Sequence, residues 1–214
     1  MRNLVLKMSV SIDGFVGGVD GEIDWIFKSM DERATDWLLE TLWQAGLHLM
    51  GRRTFSDMAA YWPSSSSPLA ASMNAIPKVV YSRRRLAQLP DTQSTTRALT
   101  DAMLARPLQS VPIRARTASE ANWAAATVVH GDLSEAVTAL KRDSGDYILA
   151  HGGARFGRAL AESGLVDEYR LLVHPVVLGR GLSLFAGIAR PVDLRLLSST
   201  IFPSGAVAQV YRPA

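Results

Sequence analysis

The chain of 214 residues contains no cysteine, and that absence removes disulfides, thiolate nucleophiles and cysteine-ligated zinc together. Packing alone must hold the fold, and a reducing compartment, the cytoplasm, is the expected location. Long hydrophobic runs are also missing. Crossing a bilayer takes roughly 20 apolar residues, whereas the N-terminal run from Leu4 to Ile12 is interrupted by Lys7 and followed by Asp13. It reads as a strand and not a signal, and no membrane partner is expected. Charge of one sign is scarce: 23 Lys and Arg against 20 Asp and Glu leave a formal net charge of +3. The densest basic run, Arg83-Arg84-Arg85, reads either as a solvated loop charge or as an anion site for a phosphorylated ligand. With no helix-turn-helix and no zinc module, nucleic acid is not an expected partner. The histidines His48, His130, His151 and His174 lack close metal-ligand spacing, so no metal site is expected, and the absence of a long repeat argues against a solenoid.

What is present is a chain 48% hydrophobic, enough for one domain over 1–214. Leu4 to Ile12 reads as a strand that breaks at Asp13-Gly14 into a glycine-rich loop with Gly17, Gly18 and Gly21. Ser29 and Glu32 have capping-box spacing, and Trp37, Leu38, Leu42 and Ala45 recur at helical intervals, which predicts a helix over 30–45 stopped by Gly46. Leu47–Met50 reads as a strand turning at Gly51-Arg52-Arg53-Thr54 into a helix that ends before Pro63. Ser64 to Pro68 is a polar connector, and Lys78–Ser82 the next strand. From Arg83 to about Trp123 no period is sustained, so about 84–121 reads as an insertion, with one or two helical turns at 98–105. Thr127–His130 is a strand, Asp132 with Glu135 opens a helix to Arg142, and Tyr147–Ala150 is a buried strand followed at once by Gly152-Gly153 and a helix to Ser163 stopped by Gly164. Asp167–Leu178 reads as one long strand, Gly179-Arg180-Gly181 as a turn, and 194–201 with 206–211 as a terminal hairpin. This alternation predicts an α/β fold: a mostly parallel central sheet with antiparallel C-terminal strands and helices on both faces.

Two strand-glycine-helix junctions, at Gly51 and at Gly152-Gly153, carry the strongest chemical signal. A helix start presents unpaired N–H groups and partial positive charge, and glycine lets an anion approach the backbone. Each alone reads equally as a tight turn. Two of them in one sheet meet along the carboxyl edge where α/β ligands bind, and the pair favours a dinucleotide or another diphosphate ligand. Ser82-Arg83 adds a hydroxyl and a guanidinium at a third strand end, suited either to a ribose 2′-phosphate or to a plain polar terminus.

The segments Met8–Gly14, Met50–Thr54, Val79–Arg83, His151–Ala154, Gly164–Tyr169 and Pro175–Gly181, in this order, resemble the bacterial dihydrofolate-reductase-like proteins of the RibD C-terminal-domain family. The resemblance covers roughly 1–83 and 122–214. It implies a three-layer dihydrofolate-reductase-like fold with an eight- or nine-stranded sheet, NADPH across its carboxyl edge, and hydride transfer to a heteroaromatic small molecule such as a pterin, pyrimidine or flavin-like ring. Carried over by position, Gly51, Arg52 and Thr54 meet phosphates at one helix start, Ser82 and Arg83 the adenosine phosphate, and Gly152, Gly153, Ala154, Arg155 and Phe156 the pyrophosphate. Asp13 and the loop from Gly14 to Trp25 border the nicotinamide and substrate. Asp13, or more weakly Asp24, is a candidate to orient substrate or relay a proton, and Trp25 to stack on a planar ring; a turn carboxylate and a core tryptophan are the plainer readings. The chain departs from the riboflavin-biosynthesis uracil reductases of the same family in placing His151 where they carry a glutamate before the double glycine. It also lacks the proline-tryptophan pair of true dihydrofolate reductases. Both departures argue against those two substrates.

Two other function classes remain open from the sequence: a nucleotide-binding sensor or sequestering module without efficient turnover, and an anion-binding domain using Arg83–Arg85 and Arg114-Ala115-Arg116. The apolar run Tyr169–Leu178 and the terminal hairpin favour a two-fold homodimer, as relatives of this kind pair through their C-terminal strands.

Overall fold

The computed structural model describes residues 1–83 and 119–214. The expected insertion at 84–121 and the helical turns at 98–105 therefore lie almost wholly outside the described residues, as do Arg84, Arg85 and Arg114–Arg116. The elements are β1 (Leu4–Ser11), α1 (Asp24–Phe27), α2 (Glu32–Trp43), β2 (Ala45–Gly51), α3 (Arg52–Tyr61), a 3-10 turn (Trp62–Ser64), α4 (Ala70–Ala75), β3 (Lys78–Ser82), α5 (Ser119–Ala124), β4 (Thr127–His130), α6 (Leu133–Arg142), β5 (Tyr147–His151), α7 (Ala154–Glu162), β6 (Glu168–His174), β7 (Leu194–Ile201) and β8 (Val207–Pro213).

The eight strands form one sheet in the order β4-β3-β2-β5-β1-β6-β8-β7. Strands β1 to β6 run parallel; β8 is antiparallel to both β6 and β7. The carboxyl ends of six strands therefore share one edge, with β1, β5 and β2 at its middle.

Strand side chains alternate between faces, and here the two faces differ in character. Leu4, Leu6, Met8, Leu49, Ile148, Ala150, Tyr169 and Leu171 pack with Val137 of α6 and Leu160 of α7 into the larger apolar core. The other face is covered by α2, α3 and α4, where Leu42, Phe55, Ala70 and Met73 meet Val5, Met50, Val80 and Leu149. Helices thus lie on both faces, as the alternation predicts.

Three local expectations are corrected and one helix is added. Helix α2 is capped by Asp31, whose Oδ1 accepts from Ala34 N at 2.8 Å, because Ser29 Oγ is drawn instead to His174. Gly46 lies within β2 and does not stop α2; a Cβ there would come 3.2 Å from Asp146 on the neighbouring segment. Helix α4 follows the serine-rich connector where the sequence shows no start signal, and its lack of a side-chain cap is the reason. The long run Asp167–Leu178 is a strand only to His174, since Pro175 has no N–H for the ladder.

Candidate functional site at the carboxyl edge

The helices of eight residues or more divide into two kinds at their starts. Asp31 caps α2, and Asp132 caps α6 by accepting from Glu135 N at 3.0 Å. By contrast, α3 and α7 begin at Gly51 and Gly153 with no side-chain cap. Their first N–H groups remain available at the sheet edge, with the positive end of each helix dipole behind them.

These two starts are locked together. Thr54 Oγ1 donates to the Gly152 carbonyl at 2.8 Å. A Cβ on Gly153 would lie 2.6 Å from Thr54 Oγ1, and one on Gly51 would lie 3.2 Å from Cβ of Phe156. The third strand end joins them, because Tyr81 stacks on Phe156 with centroids 5.8 Å apart and donates its hydroxyl to the Gly131 carbonyl. Ser82 is buried at this strand end while Arg83, Arg52 and Arg155 are exposed. The structure therefore gathers Gly51, Arg52, Thr54, Ser82, Arg83, Gly152, Gly153, Ala154, Arg155 and Phe156 along one edge. Uncapped N–H groups, a bare glycine backbone and flanking guanidinium groups are a donor set that suits a diphosphate.

Beside it lies a polar floor on the α2 side of the sheet. Register places Lys7 of β1 level with His151 of β5 and Arg170 of β6, and Ser11 level with His174. Ser9 falls between them on the same face. Lys7 Nζ donates to Ser9 Oγ at 3.3 Å, and burial pushes the Lys7 amine down to about 8. His151 is 6% and His174 0% exposed, and Nε2 of each has no hydrogen-bond partner among the described residues. Burial first, then the charge of Lys7, holds His151 down at about 3 and His174 at about 4, so both rings are neutral at pH 7. His48 sits edge-on behind His151, with centroids 4.4 Å apart. Lys78 is engaged elsewhere: it donates to the carbonyls of Ile76 and Asn74 and lies over the Trp123 ring.

Trp25 forms the wall above this floor. Its indole packs edge-on against His174 at 5.4 Å and donates to the Glu22 carbonyl, while Ser29 Oγ is 2.8 Å from His174 Nδ1. Asp13 is exposed and fully engaged. It accepts from Ser11 Oγ, Leu178 N and Gly179 N, and these bonds, Ser11's foremost, hold its carboxyl below the usual range. It ties the 178–179 turn to the end of β1. Asp24 begins α1 and is exposed. Sequence reasoning missed Lys7, Ser9 and His174, although Lys7, Ser9 and Ser11 alternate through β1 as a polar stripe of period two. Two surface hollows, of ≈ 240 Å³ between α2 and β7 and ≈ 360 Å³ near Asn3 and Pro213, share none of these residues.

A mostly parallel sheet with this strand order, antiparallel C-terminal strands and helices on both faces defines a dihydrofolate-reductase-like fold. The RibD C-terminal domain family matches residues 2–208, and the chain belongs to that family. It is 29% identical over 212 residues to the uncharacterized protein YyaP of Bacillus subtilis (strain 168), covering 98% of this chain and 94% of that one. In structure it is similar to a pyrimidine reductase-like protein from Corynebacterium diphtheriae, with a TM-score of 0.61 at 15% identity, covering 100% of this chain and 92% of that one. It is also similar to dihydrofolate reductase from Enterococcus faecalis, with a TM-score of 0.56 at 13% identity, covering 99% and 96%. Family membership supports a reductase role. Among the described residues, no helix is long and apolar enough to cross a membrane.

Proposed function

We propose that this protein is a cytoplasmic NADPH-dependent reductase that delivers hydride to a heteroaromatic small molecule, and that 1–214 works as one such unit. The observation that carries the reading is the pair of uncapped helix starts at Gly51 and Gly153, joined by the bond from Thr54 Oγ1 to the Gly152 carbonyl. The first N–H groups of α3 and α7 hold the phosphates, and Ser82 with Arg83 holds the 2′-phosphate that separates NADPH from NADH. Bound at this edge, NADPH supplies the hydride.

The chain's own residues place and protonate the acceptor. When hydride adds to a ring carbon, an electron pair moves onto a ring nitrogen or carbonyl oxygen, and that atom takes a proton. Lys7 stands on the floor with an amine poised near 8, close to the working pH that favours proton transfer. Trp25 shields the acceptor from water on one side, and Asp13 fixes the turn that borders it. NADPH consumption against a panel of pterins, pyrimidines and quinones tests the reading. Turnover that is lost in Lys7→Met while cofactor binding persists supports it, whereas cofactor binding with no turnover on any ring would make the protein a nucleotide sensor.

A further inference from the structure

Helix α7 does more than offer its first N–H groups, because one turn further on it reaches the loop that leads to the cleft wall. Arg158 Nη2 donates to the Ser183 carbonyl at 2.7 Å. Ser183 in turn forms an antiparallel bridge with Phe15. Around that bridge Val16 N donates to the Leu182 carbonyl at 2.8 Å, Leu182 N to the Gly17 carbonyl at 2.9 Å and Leu184 N to the Gly14 carbonyl at 3.3 Å. The two segments run so close that a Cβ on Gly181 would collide with the Gly17 carbonyl oxygen. From there the loop continues to the wall: the Glu22 carbonyl accepts from Gly18 N at 2.9 Å and from Trp25 Nε1 at 3.0 Å. A run of hydrogen bonds therefore joins the helix at the phosphate edge to the tryptophan above the floor. Arg158 stands out in it. Its guanidinium makes no ion pair among the described residues, and its Nε is buried without a partner there, a cost that packing alone does not require. The ladder that it holds is only a few bonds long, the kind of element that opens and recloses locally.

We propose that Arg158 is a positioning residue that couples the phosphate edge to the cleft wall, an inference that rests on the reading of the α7 start as the cofactor's phosphate site. An anion on the first N–H groups holds α7 in place, and Arg158, one turn along the same helix, holds the Ser183 carbonyl. The ladder between 14–17 and 182–184 then stays closed, and Gly18, Glu22 and Trp25 stay with it. With no anion bound, α7 is held less firmly and the ladder opens more often, a coupling through order that needs no second shape of the chain. The coupling is reciprocal: an acceptor that immobilises Trp25 tightens the hold on the cofactor.

Amide hydrogen exchange on the full-length protein, with and without NADPH, reads this coupling on fragments covering 12–19, 181–185 and 154–158. In the wild-type protein NADPH should slow exchange in all three. Arg158→Met should speed exchange at 12–19 and 181–185 about tenfold or more before any ligand is added, the loss of one charge-assisted hydrogen bond. In that variant NADPH should still slow 154–158 but no longer the other two fragments. Arg158→Lys, which keeps a cationic donor for the Ser183 carbonyl, should restore part of the effect. A folded Arg158→Met protein whose 12–19 and 181–185 fragments exchange and respond as in the wild type overturns the inference. So does a wild-type protein in which NADPH slows 154–158 and leaves the two loop fragments unchanged, a result that needs no variant to fold. NADPH that slows none of the three overturns the reductase reading and the coupling together, and is thereby distinct from failure of the coupling alone.

Discussion

Lys7 shows how one residue takes its chemistry from its neighbours. Its amine shares one face of the sheet with two neutral imidazoles and has no carboxylate partner among the described residues, and burial lowers it to about 8. A lowered base is protonated below that value and loses its proton above it. If Lys7 supplies the proton, the turnover rate will be level below about pH 7 and fall as the pH rises through about 8, while Lys7→Met will lose activity at every pH with NADPH affinity retained. A rate unchanged up to about pH 10 would remove Lys7 from the proton path. Arg83 is the second residue-scale test. Losing a charged partner of a phosphate costs about 1.5–3 kcal/mol, roughly 10- to 150-fold in affinity, so Arg83→Ala should weaken NADPH by that factor and leave NADH nearly unchanged. Equal losses for both would reassign the phosphate contact. The glycines and Arg83 stand out in the sequence because their chemistry is local. Lys7 looks like a mere interruption of an apolar run, since His151 and His174, distant in sequence, come to the same face only through strand order.

At the scale of elements, the contrast between capped and uncapped helices organises the site. Aspartate caps are legible where cap and helix adjoin, as at Asp132, but Ser29 is a false cap because a tertiary bond to His174 claims its hydroxyl. Likewise Gly46, a stop signal by composition, is a strand residue required by the close approach of Asp146. The uncapped start of α7 carries its own prediction. Gly153 has φ 163°, ψ 126°, an extended backbone open to any residue; what bars a side chain is Thr54 Oγ1, which a Cβ at this position would approach to 2.6 Å. Gly153→Val should therefore cost about 1–3 kcal/mol from local overpacking, leaving a folded protein that no longer binds NADPH. A thermal melt and an NADPH titration check the two halves. A folded variant with normal NADPH affinity would move the pyrophosphate away from this junction.

At the scale of the whole molecule, the described residues leave an apolar edge strand uncovered. Strand β6 lies inside the sheet between β1 and β8, and both of its faces are packed by the chain itself. Edge strand β7 is different: Leu196, Leu197 and Ile201 are 50%, 41% and 74% exposed. An apolar edge strand of this kind needs a partner or invites aggregation. A two-fold homodimer joined there, burying at least about 1,000 Å² in total, should give by light scattering twice the chain mass of 23.2 kDa; a particle of single-chain mass would refute the dimer. The mostly parallel sheet and its two covered faces followed from the strand-helix alternation, but the unpartnered strand could not be located without the order β6-β8-β7. The cofactor, the proton path and the acceptor all depend on the carboxyl edge holding the dinucleotide. The most direct test is a fluorescence titration of the full-length protein with NADPH and, in parallel, with NADH. Saturable NADPH binding, at least about tenfold tighter than NADH, is the predicted result, and the absence of any saturable NADPH signal would contradict it.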